Sequence, residues 1–131
     1  MDGSSLGRWG EWVACGYLVG KGYRVVARSW RLGRLGEIDL IVRRGRVLAF
    51  VEVKTRRGGR FGRPEEAVDS RKQHRLLLLA EAFVHSLPAD SPLRAFQCRL
   101  DVIAIHRPRG LGWRIRHLTG AFEEAGRPCL S

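Results

Sequence analysis

The chain has 131 residues, 44% of them hydrophobic, and carries 24 Lys and Arg against 13 Asp and Glu, a formal charge of +11. That length suits one domain, with a core at about 5–118 and a terminal segment at 119–131. No apolar run approaches the roughly 20 residues of a membrane span, and no signal peptide opens the chain. Cys15, Cys98 and Cys129 show neither a disulfide framework nor zinc-ligand spacing, and read as free or buried thiols of a cytoplasmic protein. The basic excess selects polyanions, chiefly nucleic acid. Arginine supplies most of it, and lysine stands only at positions 21, 54 and 72.

In chain order, Ser4 or Ser5 can cap a helix that runs to about Lys21 and stops at Gly22. Leu6, Trp9, Val13, Ala14 and Tyr17 form its inward stripe, and Glu11 borders it. On spacing alone Glu11 is a solvated acid near a helix start, which the helix dipole favours. Tyr23 to Trp30 reads as a first strand. Arg31 to Gly36 reads as a glycine-punctuated turn or a basic loop that touches phosphate.

Glu37 to Lys54 reads as two strands, rich in Leu, Ile and Val and buried on both faces. Three residues interrupt the apolar pattern: Asp39, Glu52 and Lys54. A two-residue loop at Gly45-Arg46, with glycine at positive φ, would pair Arg44 with Val47 and hence Asp39 with Glu52; a four-residue loop keeps this pairing, and a three-residue loop would send the acids to opposite faces. Opposed residues share a face, and Lys54 shares the parity of Glu52. Two carboxylates and an ammonium then converge at one end of the hairpin, a setting for Mg²⁺ or Mn²⁺, which prefer oxygen ligands. Glu37 shares the parity of Asp39 and reads either as facing the site or as a rim acid.

Thr55 to Arg63 is glycine-rich and basic. Arg56, Arg57, Arg60 and Arg63 suit a loop closing over a nucleic-acid backbone, against the plainer reading of a solvated loop. Pro64 to Val68 can form a helical turn. A second long helix, from Arg71 to about Ser86, turns Leu76, Leu79, Ala80 and Phe83 inward. Arg71, Lys72 and Arg75 crowd its first turns, where the dipole disfavours cations, and exposed amides with three cations make a phosphate site. Lys72 continues the inward stripe and reads as aimed at a ligand, with Gln73 bordering it. His74 and His85 read as surface residues. Leu87 to Leu93 is a connection. Cys98 to His106 reads as a fourth strand, parallel to its neighbour through the helical crossover; Asp101 within it could join the site but reads rather as an edge or structural acid. Trp113 to Leu118 reads as a fifth strand, followed by a helical turn at about 121–125.

Asp39 followed by Glu52-Val53-Lys54 resembles the core of the PD-(D/E)XK nucleases. The blocks "GEWVACGYLVGKGYRVVARSW", "GEIDLIV", "FVEVKTRRGGRFGRPEEAV" and "RKQHRLLLLAEAFV" resemble, in order, the YraN family of bacterial proteins, which is similar to archaeal Holliday junction resolvases. The resemblance covers about residues 7–122, and Ile38 stands where the motif name has proline. It implies an α/β fold with a restriction-endonuclease-like core: a mixed five-stranded sheet flanked by helices in the order α-β-β-β-α-β-β. It also implies a metal-dependent DNA endonuclease, acting on branched or structured DNA. Asp39 and Glu52, with the Val53 carbonyl, would hold Mg²⁺; Glu11 would join directly or through water; Lys54 would act at the scissile phosphate. Resolvase-like relatives act as dimers, which implies a homodimer. The alternatives are a nucleic-acid-binding module without catalysis, or a structural partner in a DNA-processing assembly with Trp12 and Trp113 at its interface, although the two indoles read more readily as core packing.

Overall fold

The computed structural model describes residues 3–57, 70–107 and 112–121, with the backbone alone for 3–6 and Arg57. Helix α1 (Gly3–Gly20) leads into strands β1 (Arg24–Leu32), β2 (Gly36–Arg44) and β3 (Val47–Arg57). Helix α2 (Ser70–Ser86) then returns the chain to β4 (Gln97–Arg107) and β5 (Arg114–Leu118). The five strands form one mixed sheet in the order β1-β2-β3-β4-β5. The β3–β4 pair is parallel and the other pairs are antiparallel. The segments expected at 58–69, 108–111 and 122–131, with Arg60, Arg63 and Cys129, lie outside the described residues. No helix among the described residues is long and apolar enough to cross a membrane.

The glycines at two bends carry the expected conformations. Gly22, at φ 93°, ends α1. Tyr23 N donates to Leu18 O, and Gly22 N to Val19 O, both at 3.0 Å, which satisfies carbonyls that a helix end leaves open. Gly45, at φ 58°, turns the β2–β3 hairpin, and the register runs from Arg44↔Val47 to Leu40↔Val51.

The central strands are apolar on both sides because each side is covered. Leu40, Val42, Ala49, Val51, Ile103 and Ile105 pack with Ala14, Cys15 and Leu18 of α1. Ile38, Ile41, Leu48, Phe50 and Val102 pack with Leu76, Leu79, Ala80, Phe83 and Val84 of α2. At Gly10 the helix comes so close to β3 that a Cβ there would lie 1.9 Å from Thr55 Oγ1 and 3.1 Å from Thr55 Cβ. A residue with no side chain lets α1 seat Glu11 against the sheet.

Asp101 is fully buried and structural. Its carboxylate accepts two hydrogen bonds from Arg99, at 2.8 and 2.9 Å, and one from Gly120 N at 3.0 Å, and it pairs with His117 Nε2 at 2.8 Å. Arg99 also donates to the Tyr23 hydroxyl at 2.5 Å. The cysteines correct an expectation: Cys15 is a free, buried thiol, whereas Cys98 is disulfide-bonded.

Candidate metal centre

The β2–β3 register ends at Leu40↔Val51, one step short of Asp39 and Glu52, and the strand does not stay regular there. Ile38 packs on the α2 side together with Ile41, while Leu40 and Val42 pack on the α1 side. The alternation therefore slips at Asp39. Opposite it, between the pairs Arg28↔Leu40 and Trp30↔Ile38, Ser29 takes a left-handed φ of 47°, a conformation rare outside glycine. Asp39 consequently lines a cleft beside α1, whereas Glu52 keeps the parity of Leu48 and Phe50 on the α2 side. The two acids still act on each other, since Glu52 is the charge that most raises the proton affinity of Asp39. The Val53 amide donates to Asp39 Oδ2 at 2.8 Å, which ties the acid to the strand carrying Glu52 and Lys54.

Carboxylate oxygens of Glu11, Glu37 and Asp39, all half-buried, lie within 4.8 Å of one another. Glu37, whose role the sequence leaves open between site and rim, belongs to this trio; the signal for it was its parity with Asp39. Glu37 also takes an ion pair from Arg31 at 3.3 Å. Glu52 lies outside the trio, although its charge acts on Asp39.

The clustering shows in the proton affinities. Asp39 is pushed up to about 8, first by burial and then by Glu52, against the pull of the Val53 amide. Burial also raises Glu11; Glu37 adds to the rise, and a hydrogen bond from Asp39 opposes it. Glu52 is raised by burial, which outweighs the attraction of Lys72, Arg75 and Lys54. Lys54 is lowered by burial first, then by Lys72 and Arg56, with Glu52 opposing. Acids crowded in this way resist ionising together unless a cation joins them.

The described residues among those expected to bind phosphate fall in two places. Arg56 is exposed near the end of β3, and Arg57 closes that strand. Arg71 and Arg75 are exposed on the first turns of α2, with Lys72 and Gln73 half-buried between them. This turn faces Glu52, since Lys72 and Arg75 are the cations that most affect it. The cleft beside Asp39 has a volume of about 210 Å³ and is walled also by Arg8, Trp12 and Arg28. Those three were not expected at the site. Arg8, Glu11, Trp12 and Cys15 follow at one-turn spacings, so one helix face carries them together.

The family model described as "Uncharacterised protein family UPF0102" matches residues 10–105. A UPF0102 protein of Syntrophotalea carbinolica is 44% identical over 122 residues, 93% of this chain and 94% of the relative. One of Symbiobacterium thermophilum is 44% identical over 117 residues, 89% and 95% of the two chains. One of Roseiflexus castenholzii is 42% identical over 127 residues, 92% and 94%. With similarity of this extent, the chain belongs to the uncharacterised protein family UPF0102, the YraN family that its motifs resemble.

Proposed function

We propose that the protein is a metal-dependent nuclease that hydrolyses DNA phosphodiester bonds. The observation that carries this reading is the convergence of Glu11, Glu37 and Asp39 within 4.8 Å, tied through Asp39 and Val53 to the strand of Glu52 and Lys54. A donor set made of carboxylates suits Mg²⁺ or Mn²⁺, and the mutual repulsion of these acids fits a site built to receive a cation. Asp39 and Glu11 would hold the ion, with Glu37 or Glu52 and the Val53 carbonyl completing the protein donors. Such an ion supplies Lewis acidity toward a phosphoryl oxygen.

The chain's own groups do the rest. Lys54 stands two residues beyond Glu52 and meets charge developing on the phosphate. Arg71, Lys72 and Arg75, at the start of α2, draw the phosphate backbone toward Glu52. Arg56, exposed near the end of β3, extends that surface. A binding module without catalysis would share the +11 charge, but it gains nothing from acids gathered where phosphate must approach.

The test is incubation of linear, nicked, flapped and four-way DNA with Mg²⁺, Mn²⁺ or EDTA. Cleavage that needs the metal and is lost in Asp39→Asn supports the reading. Metal-independent cleavage, or full activity in that variant, overturns it.

A further inference from the structure

Trp12 is 65% exposed, while Trp9 and Trp113 pack ring on ring at 4.0 Å and Trp30 packs edge-on against Phe83 at 5.4 Å. An indole in water contributes little to the fold, and one tip exposed beside polar groups suits a ring that meets a ligand. Its place is specific: it lines the same cleft as Glu11 and Asp39.

The ring is also held ready. The Arg28 guanidinium lies over it, 4.6 Å from the centroid, and donates to the buried Cys15 Sγ at 3.2 Å. Cys15 thus anchors the cation that backs one face of the indole, and the exposed remainder offers a stacking surface. Holding a surface in its binding conformation reduces the entropy lost on binding. Arg8 lies one turn before Trp12 and walls the cleft with a second cation; Ser29 adds a hydroxyl and Leu40 an apolar floor.

We propose that this cleft takes an unpaired nucleobase, stacked on Trp12, with Arg8 and Arg28 meeting the adjoining phosphates. The inference rests on the nuclease reading and deepens it, for it names the substrate class: nucleic acid with an unstacked or single-stranded nucleotide beside the phosphate to be cut. Stacking on an aromatic ring accepts any base, because every base has a π-face. An intact duplex hides those faces against neighbouring bases, so the cleft selects flaps, gaps and branch points. Charged walls favour this occupant over a protein surface, since protein interfaces exclude charge from their centres.

The test is equilibrium binding without cleavage, in EDTA at low salt, to three labelled DNAs: a blunt duplex, the same duplex with a short single-stranded flap, and that flap with abasic sites. The native protein is expected to prefer the base-bearing flap. Trp12→Ala should lose about 10-fold on that flap, the scale of one lost base stack, and nothing on the blunt duplex, while Trp12→Phe keeps most of the preference. Equal binding of abasic and base-bearing flaps overturns the proposal, as does Trp12→Ala binding the flap as the native protein does. Sedimentation velocity covers the alternative: a Trp12→Ala variant that dissociates an oligomer with base dependence unchanged assigns the surface to a second copy of the chain. If the native protein binds none of the three DNAs, the nuclease reading falls as well. If it binds and cleaves with metal but shows no base dependence, the inference alone falls.

Discussion

The Val53 amide donates to Asp39 Oδ2 across 2.8 Å, so the carboxylate that the metal reading needs is also part of the hairpin's hydrogen bonding. Two substitutions separate these roles. Asp39→Asn keeps an oxygen for the amide and loses the charge; it should fold normally and fail to cleave DNA. Asp39→Ala leaves a half-buried amide without that partner, a cost of about 1–3 kcal/mol. Urea unfolding in the absence of metal should therefore rank alanine below asparagine. Equal stabilities would show that the hydrogen bond does not support the hairpin.

Lys54→Ala tests the role of the ammonium. Its loss should lower single-turnover cleavage about 100- to 1,000-fold, comparable with removing one transition-state donor. Metal affinity should stay the same or rise, because a nearby positive charge has gone. If Lys54 serves only to balance Glu52, the variant is unstable at neutral pH and cleaves normally per folded molecule. Thermal melting and Mn²⁺ titration on the same preparation distinguish the outcomes.

Gly10→Ala should be costly for a helical glycine. Alanine favours a free helix by about 1 kcal/mol, but here its Cβ would meet Thr55 Oγ1 at 1.9 Å. Overpacking of this kind costs about 1–3 kcal/mol, and relief by tilting α1 would carry Glu11 away from Asp39. Adding Thr55→Ala should recover part of the loss, and a double-mutant cycle in urea reads the coupling. Additive effects would mean that the helix and β3 do not meet at this point.

Asp101 predicts an acid-sensitive fold. Burial raises its proton affinity, but hydrogen bonds from His117, Arg99 and the Gly120 amide outweigh that and leave it below the ordinary carboxylate value of 3.8. A depressed folded pKa stabilises the protein above the unfolded pKa, near pH 4, and this contribution is lost as pH falls through the folded value. Asp101→Asn should remove that part of the acid dependence. It should also destabilise the protein at pH 7 by about 3–5 kcal/mol, as when one partner of a buried ion pair is removed. Unfolding free energies measured from pH 7 to pH 2.5 give both results; an unchanged acid limb would assign it to other carboxylates.

Arg56→Ala combined with Arg75→Ala should weaken binding to all DNA sequences alike. Each lost phosphate contact lowers the slope of log affinity against log salt by about 0.9. Binding isotherms over a range of NaCl concentrations measure it, and an unchanged slope would move the phosphate track off this edge of the protein.

The hairpin register, the stop of α1 at Gly22 and the inward face of α2 were all legible in the sequence. Each depends on local chemistry: a glycine able to take positive φ, or apolar side chains recurring with the period of the element. The same local information placed Asp39, Glu52 and Lys54 near one end of the hairpin. Only the tertiary structure decided how they stand there. Alternation assigns faces in a regular strand, and the left-handed Ser29 with the slip between Ile38 and Leu40 breaks that regularity at Asp39. The entry of Glu37 into the carboxylate trio and the exposure of Trp12 depend on the angle at which α1 lies across the sheet. The close approach of Gly10 to Thr55, residues 45 positions apart, is part of that packing, and helical periodicity carries no information about such a contact.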